Sequence, residues 1–296
     1  MIGRKTFLLR LLAVLGALAL LAAACGGGDD DGDTEAGGDN GATEETPDEH
    51  EGMQMDFTTL EEGVLQVGSC LDYRPFEYFE RGADEPTGFD VELTEAVAEH
   101  LGLEVEWIRT NFDGIFEALA GSEFDMVAAA STITPERAET VDFSDGYYNA
   151  RQGLTVASDS GITSTGDLGE GNTVGVQKGT TGKAWAEDNL ADAGVEVRTF
   201  DSISDAFTEL ESGGLDGIIN DEPSSIAEVE ERPQLEVVEP IDTNELYGLA
   251  FAKENPELRG AVNEALAALI ADGTYQEIFE KYFPGLPLPP EFEPES

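Results

Sequence analysis

From Val64 to Tyr282, short apolar runs suited to buried strands alternate with segments whose apolar residues return at helical spacing, which confines the chain to few folds. Val64 to Gly68 reads as a strand and Ser69 to Pro75 as the loop at its end. After Gly88-Phe-Asp90 comes a helix with Leu93, Ala96, Val97, His100 and Leu101 on one face and Gly102 as its stop. Val105 to Ile108 reads as a strand, Asp113 to Ala120 as a helix and Phe124 to Ala130 as a strand. A second series follows: a strand at 173–176, the turn Gln177 to Gly182, a helix to about Ala191, a strand at 195–199, a helix, and a strand from Leu215 to Asn220. Leu235 to Val238 and Leu246 to Phe251 read as two further strands. Asp221-Glu-Pro223 and Asn255-Pro256 each open a helix, and the final helix carries Tyr275, Ile278, Phe279 and Tyr282. The pattern predicts an α/β fold of mostly parallel sheets flanked by helices.

An internal echo divides that pattern in two. Phe116, Leu119, Phe124, Asp125 and Val127 are matched, at an offset of 91, by Phe207, Leu210, Leu215, Asp216 and Ile218. The match suggests two lobes of related architecture, although two ordinary αβ units would resemble each other this far by chance. The second lobe would begin after Gly153 to Ala157.

The N-terminal region is of another kind. Arg4, Lys5 and Arg10 precede an apolar run from Leu11 to Ala24 that is short for a membrane span and fits the core of a signal peptide. It ends in Leu-Ala-Ala-Ala-Cys25, so residues 1–25 are expected to be a signal segment with a lipidation cysteine, as in bacterial lipoproteins. The usual leucine three residues before the cysteine is displaced by one, to Leu21. Residues 26–55 are Gly, Asp, Glu and Thr with few large apolar residues, which predicts a disordered acidic tether. Cys70 is the other cysteine; with Cys25 acylated, no internal disulfide can form.

The formal charge of −48 divides as +3 for residues 1–25, −11 for 26–52 and −40 for 53–296. Such a field disfavours nucleic acid and anionic headgroups, leaving the N-terminal lipid as the expected membrane contact. Solubility in salty or alkaline surroundings accounts for the acidity, which therefore says little about a ligand. Only His50 and His100 are present, and no paired cysteines or His-Glu clusters point to a metal; neither a catalytic histidine nor a cofactor is expected.

One stretch carries more specific chemistry. Ser131-Thr-Ile-Thr-Pro-Glu-Arg137 follows the Phe124 to Ala130 strand, and Thr134-Pro135 reads as the start of a helix with Arg137 in its first turn. A cation there opposes the helix dipole by roughly 0.3–1 kcal/mol unless an anion joins it. Arg137 reads either as half of a carboxylate site or as a solvated surface arginine.

Taken in order, Tyr73-Arg-Pro-Phe-Glu77, Gly88-Phe-Asp-Val-Glu-Leu93, Phe112-Asp-Gly114, Ile133-Thr-Pro-Glu-Arg137, Val141-Asp-Phe-Ser144, Tyr147-Tyr148, Gly179-Thr-Thr-Gly182 and Gly273-Thr-Tyr275 resemble the polar amino acid-binding proteins of ABC importers. The resemblance spans about residues 60–285. It implies a two-lobed type II periplasmic-binding-protein-like fold with two crossover hinge strands, lobe 1 being 56–152 with 245–288, lobe 2 being 153–244, and 289–296 a tail. It implies a non-enzymatic, monomeric protein, extracytoplasmic and lipid-anchored, that binds a free amino acid and delivers it to the importer's permease subunits.

Carried over position by position, Arg137 matches the clamp on the ligand's α-carboxylate, with Thr132 and the Thr181 backbone assisting. Asp221 and the Ala130 carbonyl match partners of the α-ammonium, and Tyr73 and Phe112 match aromatic walls. The alternative for the two aromatic residues is ordinary core packing, and for Asp221 a plain N-cap before Pro223, a role that could coexist with ligand binding. Cys70 stands where many relatives carry an aspartate, and Gln177 where some glutamine binders carry a lysine. The resemblance with those departures implies a neutral polar or moderately apolar ligand, with Cys70 either touching it or simply filling space. Two other readings of the same fold are a prephenate or arogenate dehydratase and a ligand-sensing lipoprotein.

Overall fold

The computed structural model describes residues 57–294; the expected signal segment, Cys25 and the acidic tether lie outside them. In chain order come β1 (Val64–Ser69), β2 (Asp72–Tyr73), β3 (Glu77–Phe79), β4 (Pro86–Thr87), α1 (Phe89–His100) and β5 (Glu104–Arg109). Then follow α2 (Ile115–Ala120), β6 (Met126–Val127), β7 (Asp142–Phe143), β8 (Tyr148–Ala157), β9 (Thr173–Gln177), α3 (Thr181–Leu190) and β10 (Glu196–Phe200). The rest is α4 (Ile203–Glu211), β11 (Gly217–Asp221), α5 (Glu222–Glu231), β12 (Leu235–Tyr247), β13 (Ala250–Phe251), α6 (Pro256–Asp272) and α7 (Thr274–Tyr282).

Two five-stranded sheets result, ordered β5-β1-β6-β13-β7 and β10-β9-β11-β8-β12. In each, the first three strands run parallel, the fourth runs antiparallel to them, and the fifth pairs antiparallel with the fourth. Helices α1, α2 and α6 pack on the first sheet and α3, α4 and α5 on the second, so the fold is two-lobed α/β. The echoed residues fall on equivalent pieces, α2–β6 and α4–β11. The chain leaves the first sheet through β8 and returns through β12, and the two strands pair antiparallel from Leu235–Ala157 to Tyr247–Tyr148. A small sheet, β2-β3-β4, lies beside the start of α1.

Where β8 and β12 meet the first sheet, Phe76, Phe89, Tyr148, Tyr247 and Phe283 form a packed aromatic cluster, with Tyr148 and Phe283 ring centres 4.8 Å apart. Burial of rings of this size stabilises by roughly 1.5–3 kcal/mol each and fixes where the crossover strands begin. Tyr275 of α7 closes the cluster's far side, its hydroxyl donating to the Tyr147 carbonyl at 2.6 Å.

Several expectations change in extent. The Phe124 to Ala130 strand is a two-residue ladder, flanked by the Asp125 and Ala128 N–H groups, which donate to the Gln66 and Gly68 carbonyls of β1, and ended where Ala130 turns into left-handed backbone. Asp125 accepts the N–H groups of Leu60 and Gln66, and the Ala130 N–H goes to the Asp90 carboxylate at 2.8 Å. The helix expected after Pro135 is a single 3-10 turn, Arg137–Glu139, since the chain must reverse into β7 three residues later. The Thr134 hydroxyl does cap the Arg137 N–H, at 3.1 Å, but so short a turn has no dipole for Arg137 to oppose. The strands expected at 235–238 and 246–251 differ as well: the first runs on through Tyr247 with two register shifts, and Ala250–Phe251 is separate. His100, expected on the apolar face of its helix, is exposed in the last turn of α1.

Candidate functional site

All nine residues singled out from the sequence, Cys70, Tyr73, Phe112, Ala130, Thr132, Arg137, Gln177, Thr181 and Asp221, line one cavity; Glu77, Ala129 and Thr180 complete it. The cavity is closed down to about 20 Å³, room for about one water. Its walls come from both sheets. Tyr73 follows β1, Phe112 precedes α2 and Arg137 follows β6, whereas Gln177 ends β9, Thr181 opens α3 and Asp221 ends β11.

Arg137 donates to the Thr132 carbonyl at 2.7 Å and, across to the second sheet, to the Gly179 carbonyl at 3.1 Å. Its guanidinium lies over the rings of Phe112 and Phe116, about 5 Å from each centre. Two neutral carbonyls and two ring faces hold the fork in place without cancelling its charge. Burial lowers the Arg137 pKa, partly offset by the opposing charges of Asp221 and then Glu245.

Asp221 does not cap α5 with its side chain; Pro223 occupies the first turn, and the carboxylate turns away from the helix. It accepts the Tyr73 hydroxyl at 2.7 Å, the Tyr247 hydroxyl at 2.6 Å and the Gln152 amide. Burial, then the charge of Glu245, lifts its pKa to about 6 despite those three donors. An ionised group held so has a strong call for a cationic partner.

Ala130 sits in left-handed backbone, φ 44°, a conformation that costs a residue with a Cβ of order 1–3 kcal/mol. The Asp90 carboxylate fixes it through the N–H bond and is itself held by the Tyr147 hydroxyl at 2.8 Å. Thr181 is the first residue of α3, so its N–H has no acceptor within the helix. Gln177 points its amide at the Asp201 carbonyl, 3.2 Å away. Cys70 is a buried thiol whose pKa is pushed well up by desolvation and then by Glu77 and Asp72.

Four residues in or beside this cavity have no sequence-based role: Glu77, Gln152, Glu245 and Tyr247. Glu245 accepts from the hydroxyls of Thr132 and Thr181 and from Gln152, the last two at 2.8 and 2.9 Å, joining the first sheet's loop, α3 and both crossover strands. Gln152 reaches Asp221 as well, so one amide on β8 ties both carboxylates together. The available signal was polarity: Gln152 heads the apolar run Gly153 to Val156, and Glu245 is a charge directly before Leu246-Tyr247.

Among the described residues no group of three or more His, Cys, Asp and Glu could hold a metal ion, and no helix is long and apolar enough to cross a membrane. What the cavity offers is an acceptor-only carboxylate and a donor-only guanidinium, brought together from two sheets with aromatic walls beside them. Such a set complements a small molecule carrying both charges.

Comparison with known proteins agrees in kind. The chain is similar to the L-cystine-binding protein TcyJ of Escherichia coli (strain K12), 34% identical over 226 residues, which are 75% of this chain and 84% of that one. It superposes on an ancestral arginine-binding protein bound to arginine with a TM-score of 0.71 at 40% identity, covering 75% of this chain and 98% of the other. An ancestral amino acid-binding protein, AncCDT-1, described as a precursor of cyclohexadienyl dehydratase, gives a TM-score of 0.70 at 39% identity, with coverages of 75% and 96%. The family model of bacterial extracellular solute-binding proteins, family 3, matches residues 65–285, and the chain belongs to that family.

Proposed function

We propose that this protein binds a free α-amino acid outside the cell and delivers it to the permease of an ABC importer. The observation that carries the proposal is the placement of Arg137 and Asp221 around one cavity with contributions from both sheets. Arg137 takes the α-carboxylate, exchanging its carbonyl contacts for charge-assisted bonds, with the Thr181 N–H as an additional donor and the Thr132 hydroxyl joining only by giving up its bond to Glu245. Asp221 and the Ala130 carbonyl take the α-ammonium. Tyr73 and Phe112 cover the aliphatic part.

A cavity of about 20 Å³ admits no amino acid, so entry requires the lobes to part along β8 and β12. The lobes are residues 56–152 with 245–288, and 153–244. Because carboxylate and ammonium contacts are shared between lobes, the ligand gains its full set of partners only in the closed form, and that difference drives closure. Glu245 and Gln152 hold the closed form together from the hinge side. A lipid on Cys25 and the acidic tether keep the monomeric domain near the permease.

The dehydratase reading draws on the likeness to AncCDT-1, which is itself described as an amino acid-binding protein. Calorimetry of the chain against the twenty amino acids separates the readings. Heat and one-site saturation with at least one of them supports transport; silence with all twenty, together with turnover of prephenate, would establish the enzyme instead.

A further inference from the structure

Glu245 is buried near the end of β12, and four donors converge on its carboxylate. One oxygen accepts the Gln152 amide and the Thr243 hydroxyl, both at 2.9 Å. The other accepts the hydroxyls of Thr132 and Thr181, the latter at 2.8 Å. These last two donors belong to different halves of the fold. Thr132 is fixed beside Glu245, because the stretch around it zips to the end of β12: the Ile133 N–H donates to the Leu246 carbonyl at 2.8 Å and the Gly248 N–H to the Ser131 carbonyl at 3.0 Å. Thr181 is the first residue of α3, which packs on the second sheet. The Thr181 bond therefore ties the second sheet to the first.

The same contact puts a charge at a helix end. α3 has no acidic residue in its first turn, so nothing within the helix matches its positive end. Glu245 supplies that anion from β12. It does so at the residue whose N–H has no acceptor within the helix. The form so held has a cavity of about 20 Å³, too small to contain an amino acid, so the protein's own groups suffice to close it.

We propose that Glu245 is a built-in stand-in for the ligand's α-carboxylate: it draws the empty protein shut, and an arriving amino acid must displace it from the Thr132 hydroxyl and the α3 N-terminus. The inference rests on the amino acid reading above, which gives the α-carboxylate to Arg137, Thr132 and the Thr181 N–H. Two carboxylates cannot both be satisfied there. The Thr132 hydroxyl has one proton to donate, and two like charges at one helix end repel. The Gln152 and Thr243 bonds go to the other oxygen, so Glu245 keeps partners after it is displaced. A protein that is open to ligand only part of the time binds with its affinity reduced by that fraction, so weakening the stand-in should tighten binding.

Two readouts on the full chain test this. The first is the rate at which a thiol reagent labels Cys70 without ligand, read from the mass of the peptide that carries it; Cys70 lines the closed cavity and is reached when the cavity opens. The second is calorimetry with each of the twenty L-amino acids. Glu245→Gln should speed labelling on the order of 10-fold and tighten the best-bound amino acid by a similar factor, since both follow the open fraction. Thr181→Val removes the hydroxyl but keeps the N–H, and should move both readouts the same way. A merely loosened fold would also label faster, but it would not bind more tightly. Labelling within ~2-fold of the unaltered chain overturns the inference, because the open fraction has then not changed. Faster labelling with binding unchanged or weakened overturns it too, since Glu245 would then hold the liganded form as well. Both results leave the amino acid reading intact. No heat with any of the twenty in the unaltered chain overturns that reading and the displacement with it. Should Glu245→Gln fail to fold, Thr181→Val decides.

Discussion

Asp221→Asn isolates the cost of holding a carboxylate ready for a ligand. Burial and the neighbouring Glu245 raise Asp221 from its ordinary 3.8 to about 6, so the folded protein binds this proton more tightly than the unfolded chain does. For an acid whose folded pKa is raised, the penalty is absent well below pH 3.8, grows as pH rises towards 6, and is constant above. At 1.36 kcal/mol per unit the full penalty is roughly 3 kcal/mol, of which about 0.5 is already present at pH 4. Asparagine has no charge to desolvate, but it offers one acceptor oxygen where the carboxylate offers two, so either Gln152 or the Tyr73 and Tyr247 hydroxyls lose their acceptor, at a cost of roughly 1–3 kcal/mol at every pH. The absolute effect is therefore a small difference, whereas the pH dependence is not. Relative to the unaltered chain, Asp221→Asn should gain roughly 2–3 kcal/mol between pH 4 and pH 8, or ~5–10 °C in Tm for a body of this size. Melting curves of both proteins at the two pH values, without ligand, give the number. Calorimetry at pH 8 should show amino acid binding weakened by about 30-fold or more in the same variant. A melting difference that does not change with pH would refute the buried-charge argument, and undiminished binding would refute the assignment of Asp221 to the ammonium.

Three further outcomes follow from the same geometry. Arg137→Ala should lower amino acid affinity by roughly 2–5 kcal/mol while the ligand-free protein stays folded, measured by calorimetry and circular dichroism. Cys70 should react with a thiol reagent at pH 8 more than ~10-fold slower than a free cysteine, since each unit of upward shift removes about tenfold of the thiolate; labelling at the free-cysteine rate would show the cavity wall to be open. Gly88→Ala places a Cβ against the Phe76 carbonyl at a φ of +133°, and should cost more than ~4 kcal/mol, read as a Tm loss of ~8 °C or more.

The repeated strand–helix order was legible because parallel strands covered on both faces read as continuous apolar runs, as Val174 to Val176 and Gly217 to Ile219 do. β12 was not, because Glu236, Glu239 and Asp242 interrupt it and Pro240 reads as a break; antiparallel pairing with β8 carries the strand across those positions. Thr134 and Pro135 are good helix-start signals, but start signals do not specify length, and the turn at Arg137 ends after three residues. In the cavity, a residue could be found when it lay in a recognisable local motif, as Arg137 and Asp221 do. Gln152 and Glu245 are 93 residues apart and meet only because β8 and β12 cross between the sheets side by side. Glu77 ends the Tyr73 to Glu77 stretch. Its burial without a hydrogen-bond partner is something no linear pattern encodes.

The central claim is that the two charged ends of an amino acid are both read, one by Arg137 and one by Asp221. The most direct test is calorimetric titration of the chain with the amino acid it binds best, beside the same compound with its carboxylate amidated and with its ammonium acetylated. Each blocked derivative should lose roughly 2–5 kcal/mol of binding, on the scale of a buried charge pair left without its partner. If either derivative binds as tightly as the free amino acid, the end that was blocked is not held by this site, and the account of the cavity fails.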